Sequence, residues 1–294
     1  MTTEVQARPV TPPRPRPAAR RRRGSGMNRK PRVAIVVAVL FFALLYAPIL
    51  AVVLFSFNTK KSLTVFDGWS LKWYDAFWND AALVKSLETS LQVAAVAMVF
   101  SVVIGVMLAF GLVRARSRLG SAANVIMLIP LITPEIVTGV ASLMLFNGVG
   151  MKPSLTTLMI AQTTFSISYV TVILRARVAE LNPEIEEAAM DLGATRTQSL
   201  RLVTLPLMWP AIMSAAILIF TIVFDDFVLA FFTSGVDPQP LSVRIYSAIR
   251  FGIQPSINAV GTLMLLGSIV LIAIALLIPR LFGRRSNGLN LFGG

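Results

Sequence analysis

The stretch EEAAMDLGATRTQSLRLVTLP, residues 186–206, is a polar, helix-forming segment in a chain that is otherwise mostly apolar. Asn182, just before it, is a good N-cap, and Pro183 suits the first helical position, where its missing N–H costs nothing. The helix dipole favours negative charge in the first turn, and three glutamates lie in or near that turn: Glu184, Glu186 and Glu187. The sequence therefore predicts that a helix begins here.

A second short helix is expected after a glycine break. Gly193 can end the first helix in a left-handed conformation, and Thr195 or Thr197 can cap a second helix that stops near Pro206. Ala residues at 188 and 189 leave a smooth surface that another protein can approach closely. Two helices joined at a glycine corner fit a docking device, a plain connecting loop or a DNA-reading helix-turn-helix.

The rest of the chain decides among these possibilities. Only 14% of the 294 residues are charged and 55% are hydrophobic, whereas soluble domains have about one quarter charged residues. Six apolar runs are long enough to cross a hydrocarbon core of about 30 Å as α-helices. They cover residues 33–57, 91–113, 125–149, 155–174, 209–232 and 259–278. The sequence thus predicts an all-α integral membrane protein with six transmembrane helices.

The basic residues predict the orientation of these helices. Twenty of the 27 Lys and Arg residues lie in the N-terminal tail and in the loops on the same side. Positively charged loops remain cytoplasmic, so both termini are expected in the cytoplasm. Residues 180–206 then belong to the longest cytoplasmic loop, between the fourth and fifth spans. That loop is nearly charge-neutral and would attract phosphate weakly, so no nucleic-acid partner is expected.

Three regions are expected along the chain. Residues 1–32 form a basic, Pro-rich cytoplasmic tail that is too poor in apolar residues to fold. Residues 33–282 form the six-helix domain, and residues 283–294 form a cytoplasmic C-terminal tail. The arginines of the first tail serve either as an orientation signal or as an attraction to anionic lipid.

The segment also carries a family resemblance. Glu187-Ala188-Ala189, then Gly193, then Val203-Thr204-Leu205-Pro206 resemble the EAA loop signature of permease subunits in ATP-binding-cassette (ABC) importers, with Val203 where the family usually has isoleucine. The resemblance implies the type I importer permease fold, also called MetI-like, in a multi-pass protein of a prokaryotic cell membrane. It also implies that the loop sits in a groove on a cytoplasmic ATPase subunit and transmits ATP-driven closure to the membrane helices.

Several partners follow from the resemblance. It implies two ABC ATPase subunits, a second and different permease chain, and an external substrate-binding protein. ATP and Mg²⁺ are expected on the ATPase, because this chain has no G-x-x-x-x-G-K-[ST] loop. We expect no cofactor, metal site or enzymatic activity in this chain. The resemblance assigns the ATPase contact to Glu186, Glu187, Ala188, Ala189, Asp191, Gly193, Ala194, Leu205 and Pro206.

A finer resemblance extends from about Tyr46 to Leu265. The stretches YAPIL, PLITPEIVTG, IEEAAMDLGAT, FDDFVLAFFTSG and QPSINAVGTL are similar to those of spermidine/putrescine permease subunits. This similarity implies a polyamine substrate. Permeases for ferric iron, sulfate or phosphonates share the fold and remain alternatives.

Three acidic residues, Glu135, Asp225 and Asp226, fall within the predicted spans, where a charge costs about 2.5–3.5 kcal/mol. No Lys or Arg lies within a span, so their partner is water, another subunit or a cationic ligand. Counting about 1.5 Å per residue from the cytoplasmic ends places Glu135 roughly 18 Å and Asp225 roughly 24 Å into the membrane. They are therefore expected to line one outer constriction. Alternatively, they hold helices or subunits together by hydrogen bonds.

Helical spacing predicts which way these residues face. Glu135, Thr138 and Gly139 share one face of the third span, after two prolines that loosen its helix. Asp225 and Asp226 are turned about 100° apart on the fifth span. We expect Asp225 to face the substrate pathway, together with the residues of the third span, and Asp226 to face the neighbouring subunit.

The outer segment 60–88 contains three of the four tryptophans, Trp69, Trp73 and Trp78. Such rings settle at the headgroup level of a membrane, which favours an interfacial helix. The functional alternative is a landing surface for the external binding protein. The outer loop 237–254 is a second candidate for that surface.

Two other classes of membrane protein compete with an importer permease. An ion-coupled carrier would usually show internal repeats and broken helices in matching halves, and no convincing repeat is present. A membrane enzyme would need catalytic groups at one depth, and the chain has no Cys or His. The sequence therefore favours the permease subunit of an ATP-driven importer, forming half of the translocation pathway.

Overall fold

The computed structural model describes residues 32–62, 64–114, 118–250 and 255–283. The N-terminal tail that is predicted to be unfolded and the predicted C-terminal tail lie outside these ranges, apart from residues 32 and 283. Within the described ranges the secondary structure is helical, and the one strand-like feature is an isolated bridge between Asn58 and Trp69. The expectation of an all-α chain is confirmed.

The helices are numbered in chain order, with one π-helical turn, Leu200–Thr204, between α8 and α9. Their bounds are α1 Arg32–Ser56, α2 Lys72–Asn79, α3 Ala81–Arg114, α4 Arg118–Ile132, α5 Glu135–Gly148, α6 Leu155–Ala179, α7 Pro183–Asp191, α8 Arg196–Ser199, α9 Leu205–Asp225, α10 Val228–Thr233, α11 Leu241–Arg250 and α12 Pro255–Gly283.

Five helical runs in the described residues are long and apolar enough to cross a membrane. They are Val33–Ser56, Ala81–Arg114, Leu155–Ala179, Arg196–Asp225 and Pro255–Leu277. A sixth crossing is possible where Ala122–Ile132 and Glu135–Gly148 meet as a bent pair. The six predicted spans thus correspond to five unbroken runs and one bent pair.

The third predicted span is not one helix, which corrects the sequence analysis. The pair is bent by 108° between α4 and α5. Pro134 is the N-cap of α5 with ψ of 134°, and the residue before a proline is pushed out of helical conformation. Pro134 therefore stands at the break between the two helices, whereas Pro130 lies within α4. The depth of Glu135, counted along a straight helix, does not hold.

The chain divides into two units at residue 48. The first contains the N-terminal part of α1, an apolar helix in which the rings of Phe41 and Phe42 lie 5.7 Å apart and those of Phe42 and Tyr46 lie 6.2 Å apart. The second unit contains every other helix.

The core of the second unit lies where α3, α6 and α9 pack together. Gly105 on α3 lies so close to α6 that an added Cβ would be 2.5 Å from Val170, and small residues permit such close packing of membrane helices. These three helices form the frame that carries the polar segment 180–206 at one end. The side chains buried in this core include Val93, Ala97, Leu158, Leu174, Met208 and Ile219.

Candidate functional site

The helix α7 begins as the sequence predicts. The Asn182 side chain accepts a hydrogen bond from the amide of Glu184 at 3.1 Å, and Pro183 occupies the first turn. Gly193 follows the helix with φ of +90°, in the left-handed region. Thr195 caps α8 in a reciprocal capping box with Gln198. The two-helix corner is therefore confirmed, with Thr195 rather than Thr197 as the second cap.

The second helix of the corner does not stop near Pro206, which is a correction. The segments α8, the π-turn and α9 form one unbroken helical run, Arg196–Asp225. Pro206 lies in the first turn of α9, where the π-turn already replaces the usual hydrogen-bond pattern and the missing N–H is tolerated. The corner at Gly193 is consequently joined to the fifth span by a continuous helix.

The helix α7 buries none of its side chains in this chain. Leu192, which follows it, is 91% exposed. The nine residues assigned to the ATPase contact separate into two groups. Exposed are Glu187, Ala188, Asp191, Gly193 and Pro206; partly buried are Glu186, Ala189, Ala194 and Leu205.

Glu186 points into the protein rather than away from it. Both of its carboxylate oxygens accept hydrogen bonds of 2.6 Å from Nη2 of Arg114, the last residue of α3. Its Oε1 also accepts a 2.7 Å hydrogen bond from the hydroxyl of Thr204 in the π-turn. Neither partner is predictable from the neighbouring sequence, because they lie 72 and 18 residues away. A groove of about 510 Å³ runs beside this cluster, between α7 and the C-terminal ends of α3 and α6.

The acidic residues lie where helices break. Asp226 follows the last residue of α9 in extended conformation, and its carboxylate accepts hydrogen bonds from the amides of Val228 at 3.1 Å and Ala230 at 3.3 Å at the start of α10. Gln162 of α6 donates its side-chain amide to the same carboxylate, and the carboxyl group of Glu135 interacts with it as well. Two of the three predicted acids are thus brought together.

The orientation predicted for Asp226 is wrong. It was expected to face a neighbouring subunit, but its carboxylate is engaged inside this chain, because the helix ends before it and the 100° helical spacing no longer applies. Asp225, in contrast, is exposed and accepts a 2.6 Å hydrogen bond from Ser268 on α12. In the described part of the chain, the ion pairs involve none of the three acids.

The face of α5 that contains Glu135, Thr138 and Gly139 is only partly a polar surface. Glu135 is exposed and Thr138 is half-buried. Gly139 is buried against α10, where an added Cβ would be 2.6 Å from a ring carbon of Phe232. Gly139 therefore serves helix packing and does not line an open pathway in this chain. Gln162, a lone amide in an apolar span, was the signal in the sequence that the analysis overlooked.

The outer tryptophans have different surroundings. Trp73 on α2 is 8% exposed and donates its indole N–H to the carbonyl of Asn58 at 2.7 Å, so it is unsuited to contact a binding protein. Trp69 and Trp78 are 70% and 60% exposed and remain available. Nearby, a hydrogen bond from Lys60 holds the pKa of Asp67 below its usual value.

Comparison with known proteins indicates the same family as the signature in residues 186–206. A family model described as "Binding-protein-dependent transport system inner membrane component" matches residues 101–287. The putrescine transport system permease protein PotI of Escherichia coli (strain K12) is 39% identical over 250 residues, covering 81% of this chain and 89% of that protein. The spermidine/putrescine transport system permease protein PotC of Haemophilus influenzae is 36% identical over 239 residues, with coverages of 81% and 93%.

Solved structures support the fold. A chain of a bacterial alginate ABC transporter, in complex with an alginate-bound periplasmic protein, superposes with a TM-score of 0.65 at 15% identity, covering 85% of this chain and 94% of that one. A chain of the MetNI methionine ABC transporter gives a TM-score of 0.59 at 19% identity, covering 72% and 97%. At such identities the likeness concerns the fold alone.

Proposed function

The chain belongs to the inner membrane components of binding-protein-dependent transport systems, the permease subunits of ABC importers, and we propose that it carries polyamines such as putrescine and spermidine. Relatives with 36% to 39% identity are named for putrescine or spermidine/putrescine transport, and they match over most of their length. The proposal for this chain rests on its own acidic residues.

The observation that carries the proposal is the pair of carboxyl groups of Glu135 and Asp226, with Asp225 next to Asp226 in the chain. Gln162, Ser268 and the first amides of α10 donate hydrogen bonds to the two aspartates, and the carboxyl of Glu135 adjoins that of Asp226. Two neighbouring carboxyl groups repel each other when both are ionised, and a cation between them removes that repulsion. A passing ammonium group is such a cation.

The chemistry of the group also separates the candidate substrates. A polyamine carries several ammonium groups along an apolar chain, and fixed carboxylates can replace part of its hydration shell. The same carboxylates repel sulfate and phosphonate. Ferric iron is also a cation, so iron is the alternative substrate that needs an experimental test.

We also propose the partners of this chain and its membrane topology. The exposed part of the coupling loop (residues 180–206) docks on a cytoplasmic ATPase, and a second, different permease chain completes the pathway. The exposed Trp69 and Trp78 belong to the surface that receives an external binding protein. The termini lie in the cytoplasm, as the positive-inside rule implies.

The test is substrate uptake by the purified complex of both permease chains and the ATPase in proteoliposomes, with the binding protein and labelled putrescine supplied outside. Wild-type uptake should require ATP, and excess spermidine should compete with putrescine, whereas sulfate, phosphonate and ferric citrate should not. Asp226→Asn retains an oxygen to cap α10 but loses the charge. Losing a charged hydrogen-bonding partner costs about 1.5–3 kcal/mol, so uptake should fall about ten-fold or more.

Glu88→Gln provides the matched control, since Glu88 is an exposed acid on α3 that pairs with Lys85. It should leave putrescine uptake unchanged. If both Asp225→Asn and Asp226→Asn transport putrescine at the wild-type rate, the carboxyl groups are structural and the substrate proposal fails. Competition by ferric citrate alone would assign the chain to iron.

A further inference from the structure

The position of α7 raises the question of what holds it against the membrane helices. None of its side chains is fully buried, and its packing is mainly against the adjacent α8 and π-turn, so hydrophobic burial does little to fix it to the core. At its two ends it is connected by short segments, one of which contains Gly193 in the left-handed conformation. A helix held only in this way would move under a force from a docked protein without moving the membrane helices beside it.

One polar cluster supplies the missing connection. The Arg114–Glu186–Thr204 cluster joins α7 to the inner end of α3 and to the π-turn that leads into α9. The side chains of Arg114 and Glu186 are 42% and 28% exposed, so water screens this ion pair less than a fully exposed one. The hydroxyl of Thr204 belongs to a residue with only 2% exposure.

The hydrogen bond of Thr204 differs from those of other threonines in these helices. Thr171 and Thr221, for example, donate to the carbonyl four residues earlier in their own helix, as is usual for helical threonine. Thr204 instead donates to a carboxylate on another helix, at 2.7 Å. It does so in the single described π-turn, and such turns occur frequently at functional sites. The widened turn therefore belongs to the connection.

We propose that Glu186 is a positioning residue for energy coupling: through Arg114 and Thr204 it makes α3 and α9 follow the motion of α7. The inference rests on the proposed docking of the coupling loop on an ATPase. It separates two roles within neighbouring residues, since the exposed Glu187 and Ala188 face the ATPase while Glu186 faces the membrane helices. Both helices that it reaches belong to the core of the bundle.

The experiment measures ATP hydrolysis and putrescine uptake together in proteoliposomes containing the full complex. Glu186→Gln and Arg114→Gln should keep the ATPase attached and hydrolysing, while uptake per ATP falls about ten-fold, a usual size for coupling between distant sites. The exchange of both charges, Arg114→Glu with Glu186→Arg, should recover a large part of the loss. Arg177→Gln is the control, because it breaks an exposed pair with Glu180 at the same end of the bundle.

A second measurement does not depend on those variants folding perfectly. This chain has no cysteine, so Arg114→Cys with Glu186→Cys introduces the only two thiols of this subunit. Without reagent this variant should be uncoupled, and a short bifunctional thiol reagent that links the two positions should restore uptake per ATP. A monofunctional thiol reagent, which modifies the thiols without linking them, should not restore uptake per ATP.

Two results would overturn the inference. Wild-type uptake per ATP in both Glu186→Gln and Arg114→Gln would show that the cluster carries no coupling. Release of the ATPase from either variant would show instead that the substituted residue, Glu186 or Arg114, belongs to the surface that docks on the ATPase. A wild-type complex without ATP-driven uptake would contradict the proposed function itself, and the two failures are thereby distinguished.

Discussion

At Gly193 the backbone has φ of +90° and no other atom lies where a Cβ would be placed. The demand for glycine is therefore conformational and not a matter of space. A left-handed residue with a side chain costs about 1–2 kcal/mol, while asparagine tolerates this region far better. Gly193→Val should then open the corner and lower both ATPase attachment and uptake, whereas Gly193→Asn should retain most of both. Co-purification of the ATPase with each variant checks this, and equal behaviour of Val and Asn would contradict it.

Trp73 and Trp69 allow a matched test of two roles. Trp73→Phe leaves the buried carbonyl of Asn58 without its donor, so the outer segment should lose about 1–3 kcal/mol. This loss should appear as a lower unfolding temperature in detergent. Trp69→Phe changes an exposed ring and should leave that temperature unchanged. An unchanged temperature for Trp73→Phe would contradict the structural role given to it.

Single residues were predictable where their chemistry is local. The N-cap at Asn182, the glycine corner and the presence of unpaired membrane acids follow from short-range rules. The partners of those residues do not, because Arg114 and Gln162 reach Glu186 and Asp226 across 72 and 64 positions of sequence. Such pairings arise from tertiary packing, to which a residue's neighbours in sequence give no guide.

At the scale of helices, α5 and α10 pack closely around Gly139. Its missing side chain admits the ring of Phe232, which would be 2.6 Å from an added Cβ. Gly139→Val should separate the two helices and cost about 1–3 kcal/mol by overpacking. The displaced α10 begins at the amides that hold Asp226, so uptake should fall as well. Combining Gly139→Val with Phe232→Ala should restore stability and part of the uptake.

Uptake by the single and double variants, measured with their unfolding temperatures, checks this account. If the double variant is no more stable than Gly139→Val alone, the contact between Gly139 and Phe232 is not the cause. Helical spacing predicts Gly139 in the pathway because spacing shows which residues share a helix face. Spacing does not show whether the face meets another helix or water.

Helix continuity was the other feature that the sequence left undecided. The third span is bent by 108° at Pro134, whereas Pro206 and Pro210 lie in a run that remains helical from Arg196 to Asp225. The difference lies in the flanking backbone: the residue before Pro134 leaves the helical region, whereas the helices continue through Pro130 and Pro210. Composition predicts the number of spans, and the bends depend on such local detail.

At the scale of the whole molecule, the charge asymmetry predicts the orientation. The chain has a net charge of +13, and most of its basic residues lie on the side assigned to the cytoplasm. Because the chain lacks cysteine, single thiols report the side directly. A membrane-impermeant maleimide added to intact cells, or to spheroplasts where an outer membrane is present, should label Asp75→Cys on α2 and should label Glu187→Cys on α7 only after lysis. The reverse pattern would contradict the topology.

The central claim is that α7 is the contact through which a separate ATPase drives this permease. The most direct measurement is ATP-driven putrescine uptake, together with ATPase retention, for Ala188→Arg in the reconstituted complex. Ala188 is exposed and α7 buries nothing, so the bulky charge should leave the bundle folded, release the ATPase and abolish uptake, while Glu88→Arg on the outer side should alter neither. Full uptake with the ATPase still bound to Ala188→Arg would contradict the account.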